Sequence, residues 1–116
     1  MAPAAARDRH REVVEDQQRA IRWLDEAAMD LYRELRKRDE RPGQKFHQAV
    51  TKTTTLLASS PYLGRAGRVP GTREAIVPGE GVIVVYQEPD DVLEYEIRIL
   101  ALRDARRQWP NSFKGL

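Results

Sequence analysis

One stretch limits the fold more than any other: Val82-Ile83-Val84-Val85-Tyr86, entered through Pro78-Gly79-Glu80-Gly81. β-Branched side chains are stiff at χ1 and fit an extended, pleated backbone better than a helix. A strand with one wet face alternates apolar and polar residues. This run does not alternate, which predicts a strand at the centre of a sheet with both faces covered.

The segments beside it extend the pattern. Thr72 to Val77 reads as a strand running into the tight turn at Pro78 to Gly81. Leu93 to Leu102 sets Leu93, Tyr95, Ile97 and Ile99 against Glu94, Glu96 and Arg98, the mark of a strand with one face in solvent. Upstream, the apolar spacing lengthens to three and four residues. Ala28, Leu31, Tyr32 and Leu35 trace an amphipathic helix over Glu26 to Arg38, with Asp25 as the expected N-cap and bases gathered toward the C-terminal end. Phe46, Ala49, Val50, Thr53, Leu56 and Leu57 trace a second helix from about Gln44 to Ser59. Arg41-Pro42-Gly43 breaks the two apart, and so short a connection forces an antiparallel hairpin whose apolar stripes lie on one sheet face. Arg19 to Leu24 is a short strand feeding the first helix. Ser59-Ser60-Pro61 ends the second, and Gly64, Gly67, Pro70 and Gly71 make the next stretch a loop of constrained turns. The end, Arg103 to Leu116, loses its period after Trp109-Pro110 and reads as a strand edge or tail. The fold class is α+β: an N-terminal strand and helical hairpin on a small antiparallel sheet. The expected core is Leu31, Leu35, Phe46, Val50, Leu57, Ile76, Val84 and Ile97.

A chain of 116 residues supports one domain. Its 41% hydrophobic and 33% charged residues lie in the range of folded proteins. Residues 1–19, Ala-rich and then densely charged, read as an N-terminal extension, either a peripheral helix or disordered. Residues 20–110 are the domain, and 111–116 a C-terminal tail. No run approaches the ~20 apolar residues of a membrane span, and the start lacks the apolar stretch of a signal peptide, so a cytoplasmic protein without membrane contact is expected. There is no Cys, which removes disulfides and thiolate chemistry, and His10 and His47 have no metal-ligand spacing; no metal or cofactor is expected. His47, with no acid near it in sequence, is assigned a structural or surface place.

Charge is segmented. Residues 61–73 hold Arg65, Arg68 and Arg73 with no acid; residues 74–96 hold seven acids and no base; residues 97–116 return to Arg98, Arg103, Arg106, Arg107 and Lys114 against Asp104. Two basic stretches around an acidic one suit a surface that meets an anionic partner at one place and something neutral or basic elsewhere.

The order strand, helix, helix, three strands and basic tail resembles the RelE/ParE toxin family. The resemblance covers roughly residues 20–110. It is densest at Ser60-Pro61-Tyr62-Leu63-Gly64-Arg65, Val69-Pro70-Gly71-Thr72-Arg73-Glu74, the strand ending in Tyr86, and Arg106-Arg107-Gln108-Trp109-Pro110. It implies a toxin of a type II toxin–antitoxin system, held inactive by a cognate antitoxin that adds a helix and a strand to it. One branch of the family cleaves messenger RNA on the ribosome and the other poisons DNA gyrase. Cleaving RNA needs a group to activate the 2′-hydroxyl, cationic donors for the phosphate and an acid for the leaving oxygen. Arg73, Arg103 and Arg106 are the candidate donors. The ribonuclease branch usually carries a base next to the central strand's Tyr, in a Gly-Tyr-Arg type of sequence, where this chain has Gly81-Val82-Ile83-Val84-Val85-Tyr86. It also often carries a C-terminal His or Tyr, where this chain has Trp109-Pro110. An indole transfers no proton at neutral pH, though it stacks on a base or fills a protein pocket. The resemblance therefore favours gyrase inhibition, with ribosome-dependent endoribonuclease and a non-toxic antitoxin-binding remnant as alternatives. Arg65, Arg73, Arg103, Arg106, Arg107 and Trp109 are expected to converge on one side of the sheet as the target-binding surface. Trp23, Tyr32, Leu56 and Tyr62 exceed what so small a domain encloses and are expected to meet the antitoxin.

Overall fold

The computed structural model describes residues 19–38, 40–89, 95–106 and 108–115. The expectations for residues 1–18, for the strand start at Leu93 and Glu94, and for Arg107 lie outside the described residues. The elements run β1 (Ala20–Trp23), α1 (Asp25–Arg36), α2 (Glu40–Ser59), β2 (Arg65–Ala66), β3 (Thr72–Val77), β4 (Val82–Gln87) and β5 (Glu96–Asp104). The strands form one five-stranded sheet in the order β1-β5-β4-β3-β2. β2 to β5 pair antiparallel, while β1 lies parallel to β5, from Ala20 opposite Glu96 to Trp23 opposite Ile99, so the sheet is mixed. No helix among the described residues is long and apolar enough to cross a membrane.

Strand β4 occupies the middle of the sheet, and Val82 to Tyr86 are all buried, as the unalternating run predicts. One face of β4 meets the helices. Val82, Val84 and Tyr86 join Ala75, Val77, Ile97, Ile99 and Leu102 against Ala27, Phe46, Val50 and Leu57, with Leu31, Leu35 and Trp23 partly buried at the margin. Among the described residues, no helix covers the other face. Ile83, Val85, Leu100 and Ala101 are covered instead by Val69 from the loop before β3 and by Phe113, with Leu24 and Trp109 beside them.

The hairpin differs from its sequence reading at both starts. Leu24, not Asp25, holds the N-cap position of α1, in extended conformation and without a side-chain cap. Its N–H still donates to Ile99 O at 3.0 Å, so the residue belongs to the sheet until the helix begins. Asp25 and Glu26 act from the first turn, where negative charge meets the positive end of the helix dipole. Helix α2 begins at Glu40 rather than Gln44 and takes in Arg41-Pro42-Gly43. A proline in the first turn gives up no intrahelical hydrogen bond, so it does not stop the helix there.

Two core expectations are corrected on the far face. Ile76, expected inside, is 60% exposed. Alternation turns Ala75 and Val77 toward the helices and Ile76 away from them, to a place Val69 and Phe113 do not cover. Strand β5, expected to keep one face wet, is buried without a break from Ile99 to Leu102. The register against β4 slips there: Val85 lies opposite Ala101 and Tyr86 opposite Ile99. The extra residue, Leu100, reverses the phase of alternation, so Ile97 and Ile99 face the helices before the bulge and Leu102 after it, while Leu100 and Ala101 both enter the far-face cluster.

Candidate functional site: arginine clusters on two faces of one strand

Strand β3 carries Arg73 and Glu74 side by side, and alternation sends them to opposite faces. On the helix side, Arg73 pairs in register with Tyr86. The Tyr86 ring is wholly buried, so its hydroxyl needs partners inside the protein. It donates to Pro61 O at 2.7 Å and accepts from Gly64 N–H at 3.0 Å. Gly64 fits because it has no side chain: a Cβ there would sit 2.6 Å from the Tyr86 hydroxyl and 2.6 Å from Glu74 O. The Arg73 guanidinium donates to Tyr62 O and Gly64 O and reaches the Glu88 carboxylate at 3.3 Å. Burial alone would lower the pKa of Arg73, but the Tyr86 hydroxyl and Glu88 raise it, so it stays a cation. Burial pushes the Tyr86 pKa up against the opposing pull of Gly64 N–H and Arg73, which keeps the phenol neutral and unsuited to act as a base. The locus ties the loop before β2 to the end of the central strand.

On the other face, Glu74 is enclosed, its side chain 1% exposed. One carboxylate oxygen accepts from Arg65 Nη2 at 3.1 Å and Arg68 Nη2 at 3.3 Å; the other accepts from Arg68 N–H at 2.7 Å and Arg68 Nε at 3.2 Å. The Arg68 guanidinium then stacks over the indole of Trp109, 3.6 Å from its centroid. Trp109 donates from Nε1 to Asp104 O at 2.9 Å and meets Phe113 edge-on, with centroids 6.3 Å apart. The C-terminal residues are thus anchored to the sheet through Arg68 and Glu74.

Arg103, near the end of β5, sits between α1 and the C-terminal segment, its guanidinium 5.2 Å from the centroid of the Phe113 ring. Strand β1 is too short to cover β5 beyond Ile99, and α1 completes the edge: the Asp30 carboxylate accepts from Leu102 N–H at 3.0 Å and from Arg103 at 3.1 Å. Arg103 also binds Glu26. Burial raises the Asp30 pKa, with the Leu102 N–H and Arg103 opposing it.

The structure therefore brings Arg65 and Trp109 together, through Arg68 and Glu74, places Arg103 beside the same C-terminal segment, where it lines a cavity with Trp109, and sends Arg73 to the opposite face of the sheet. Arg106 is exposed beyond β5, its N–H bound to the Asp104 carboxylate at 2.8 Å. Of the expected residues that the structure describes, Arg73 stands apart on the helix side because β3 alternates, and Arg103 is held by α1 as well as lying beside the C-terminal segment. Arg68 and Glu74, which sequence reading did not single out, hold this cluster together. The available signal was an acid, Glu74, directly after three arginines in a segment with no other acid, which marks it as their shared partner.

Glu74 and Asp30 carry opposite pH dependences. Burial alone would raise the Glu74 pKa from 4.5, but the Arg68 N–H and the Arg68 and Arg65 guanidinium groups lower it and prevail. The folded state then binds its proton less tightly than the unfolded chain, so the stabilisation is complete above 4.5 and is lost as pH falls below that value toward the folded pKa. Asp30 has the opposite sign: its folded pKa lies above 3.8, so its contribution favours low pH and fades as pH rises through the raised value. In melting curves between about pH 3 and 6, Glu74→Gln should flatten the loss of stability on acidification and Asp30→Asn should steepen it. Parallel curves for Glu74→Gln and the parent would count against the ion-pair assignment.

A strand, a helical hairpin and an antiparallel meander with a C-terminal segment folded against it define an α+β domain of the RelE/ParE kind. The chain belongs to the ParE toxin family: the family model described as ParE toxin of type II toxin-antitoxin system, parDE, matches residues 21–109. Its fold is similar to that in the chromosomal ParDE toxin–antitoxin system from P. aeruginosa, with 19% identity, 75% of this chain and 96% of that chain covered, and a TM-score of 0.63. It is also similar to a mutant of the E. coli toxin RelE in the free state, with 14% identity, 78% and 86% covered and a TM-score of 0.53. The RelBE2 toxin-antitoxin complex from Mycobacterium tuberculosis contains a further similar chain, with 22% identity, 78% and 94% covered and a TM-score of 0.53. No curated protein sequence matches the chain.

Proposed function

We propose that this type II toxin arrests growth by binding a protein target in the cytoplasm, DNA gyrase, and that a cognate antitoxin neutralises it. The observation that carries the reading is the engagement of two of the three candidate donors, Arg73 and Arg103. A phosphate-cleaving centre needs cationic donors aimed at open space beside a proton-transfer group. Arg73 is instead spent on Tyr62 O, Gly64 O and Glu88, and Arg103 on Asp30 and Glu26. Tyr86, the side chain beside Arg73, is neutral and buried. Exposed apolar groups on both helices support the antitoxin: Tyr32 is 53% and Leu56 50% exposed, and Tyr62 in the following loop 61%. Trp23, half-buried against the helical core, offers less to a partner.

The test is direct. The purified chain is added to gyrase with relaxed plasmid, and separately to translating ribosomes. Supercoiling should stop while transcripts remain whole. Site-specific cleavage of the transcript with supercoiling unaffected would replace this reading with the ribonuclease one.

A further inference from the structure

We infer that Arg65, Arg68 and Ile76 form the docking face for the protein target, and that the segment they receive carries a carboxylate beside an apolar side chain. The inference rests on the protein-target reading above and deepens it by naming the surface and the chemistry of what it binds.

Glu74 and Ile76 point to the same side of β3, and Arg65 stands in register with Glu74. Arg65 and Arg68 remain 58% and 39% exposed while their inner edges grip the enclosed Glu74, and Ile76 is 60% exposed. Two guanidinium charges share one carboxylate, so the cluster keeps a net positive charge at its rim. Long cationic side chains usually lose rotamer freedom on binding. Here Glu74 holds both, and the Trp109 ring holds Arg68, before any partner arrives. Glu74 and Trp109 are positioning residues: neither faces the partner, and both fix groups that do.

The choice of protein over nucleic acid rests on the contacts Trp109 already makes. An indole binds a single strand by offering its face to a base. One face of Trp109 lies under Arg68, its edge meets Phe113 and its N–H is bound to Asp104 O. An exposed Ile next to fixed arginines adds apolar area that a phosphate backbone does not use and a protein side chain does.

Three variants are compared with the parent: Arg65→Ala/Arg68→Ala, Ile76→Ser, and Arg22→Ala as a control on exposed β1. Each is measured for growth arrest, gyrase inhibition, melting temperature and binding of a 20-nucleotide single-stranded DNA. The first two should reduce growth arrest and gyrase inhibition at least tenfold, with melting unchanged for Ile76→Ser, and the control should match the parent. If the parent arrests growth without inhibiting gyrase and the two variants lose the arrest, the docking face stands and gyrase is the wrong target. If the parent inhibits gyrase and both variants inhibit it equally, the docking face is refuted while the gyrase reading stands. Tight oligonucleotide binding that disappears in Arg65→Ala/Arg68→Ala would assign the cluster to nucleic acid and overturn the inference. Glu74→Gln separates positioning from contact: it should lower inhibition, and inhibition that is unchanged in the folded variant would remove Glu74 from the account.

Discussion

Phe46→Ala is expected to lower the unfolding free energy by about 3–5 kcal/mol, the range for deleting an enclosed aromatic ring and leaving its cavity. The ring is fully buried between the two helices and the sheet. It also carries the Arg38 guanidinium 4.0 Å above its centroid. Arg38 reaches Glu80 in the β3–β4 turn at 2.8 Å and Glu34 on α1 at 3.4 Å, so the ring supports an ion cluster that joins the helical hairpin to the sheet. Removing the ring costs transfer energy, packing and the plate on which Arg38 rests. Domains of this size are stable by roughly 5–15 kcal/mol, so the variant should unfold at markedly lower urea and show a reduced folded population. Leu56→Ala, on the exposed side of the same helix, should change stability by less than about 0.5 kcal/mol. Equal urea midpoints for Phe46→Ala and the parent would mean that α2 is not held to the sheet by this face.

The second large effect belongs to the lock between Gly64 and Tyr86. Tyr86→Phe keeps the ring and removes the hydroxyl, which leaves Pro61 O and Gly64 N–H without their buried partner. A cost of about 2 kcal/mol is expected, since an unsatisfied buried group costs about 1–3 kcal/mol. Gly64→Ala should cost more, about 3 kcal/mol, because its methyl group would meet both the hydroxyl and the backbone of Glu74, and backbone cannot swing aside as a side-chain tip can. The two changes should not add. In the double variant the hydroxyl that the methyl group strikes is gone, so part of the strain is relieved, and a coupling of about 1 kcal/mol is expected between residues in contact. Additive costs in a double-mutant cycle from urea melts would show that Gly64 and Tyr86 act separately. Because Gly64 O and Tyr62 O also receive Arg73, disruption here should loosen the loop that leads to Arg65.

Much of the architecture is written in local pattern. The strand Thr72–Val77, the central position of Val82–Gln87 and the hairpin of α1 and α2 follow from period and punctuation, because each depends on residues close in sequence. The motifs around Pro61, Gly64, Arg73 and Tyr86 belong to the densest part of the family resemblance. Their physical reason lies only in three dimensions, where they prove to be one hydrogen-bonded lock.

The features that local pattern leaves hidden depend on residues far apart in the chain. The parallel pairing of β1 with β5 joins the first and last strands in chain order, and no local period records it. The bulge at Leu100 reverses the faces of β5, an effect of register rather than composition. Ile76 is exposed because the second layer, Val69 and Phe113, stops short of it. The same holds for the arginines: composition counted them, but one step of alternation on β3 and two carboxylates on α1 decided which partners Arg73 and Arg103 meet within the fold. Arg65 and Arg68 stay at the surface because Glu74, between them and the core, engages only one side of each guanidinium. Local sequence determined the elements and the charges to be placed; the pairing of distant strands and the burial of two acids, Asp30 and Glu74, decided which of those charges face outward.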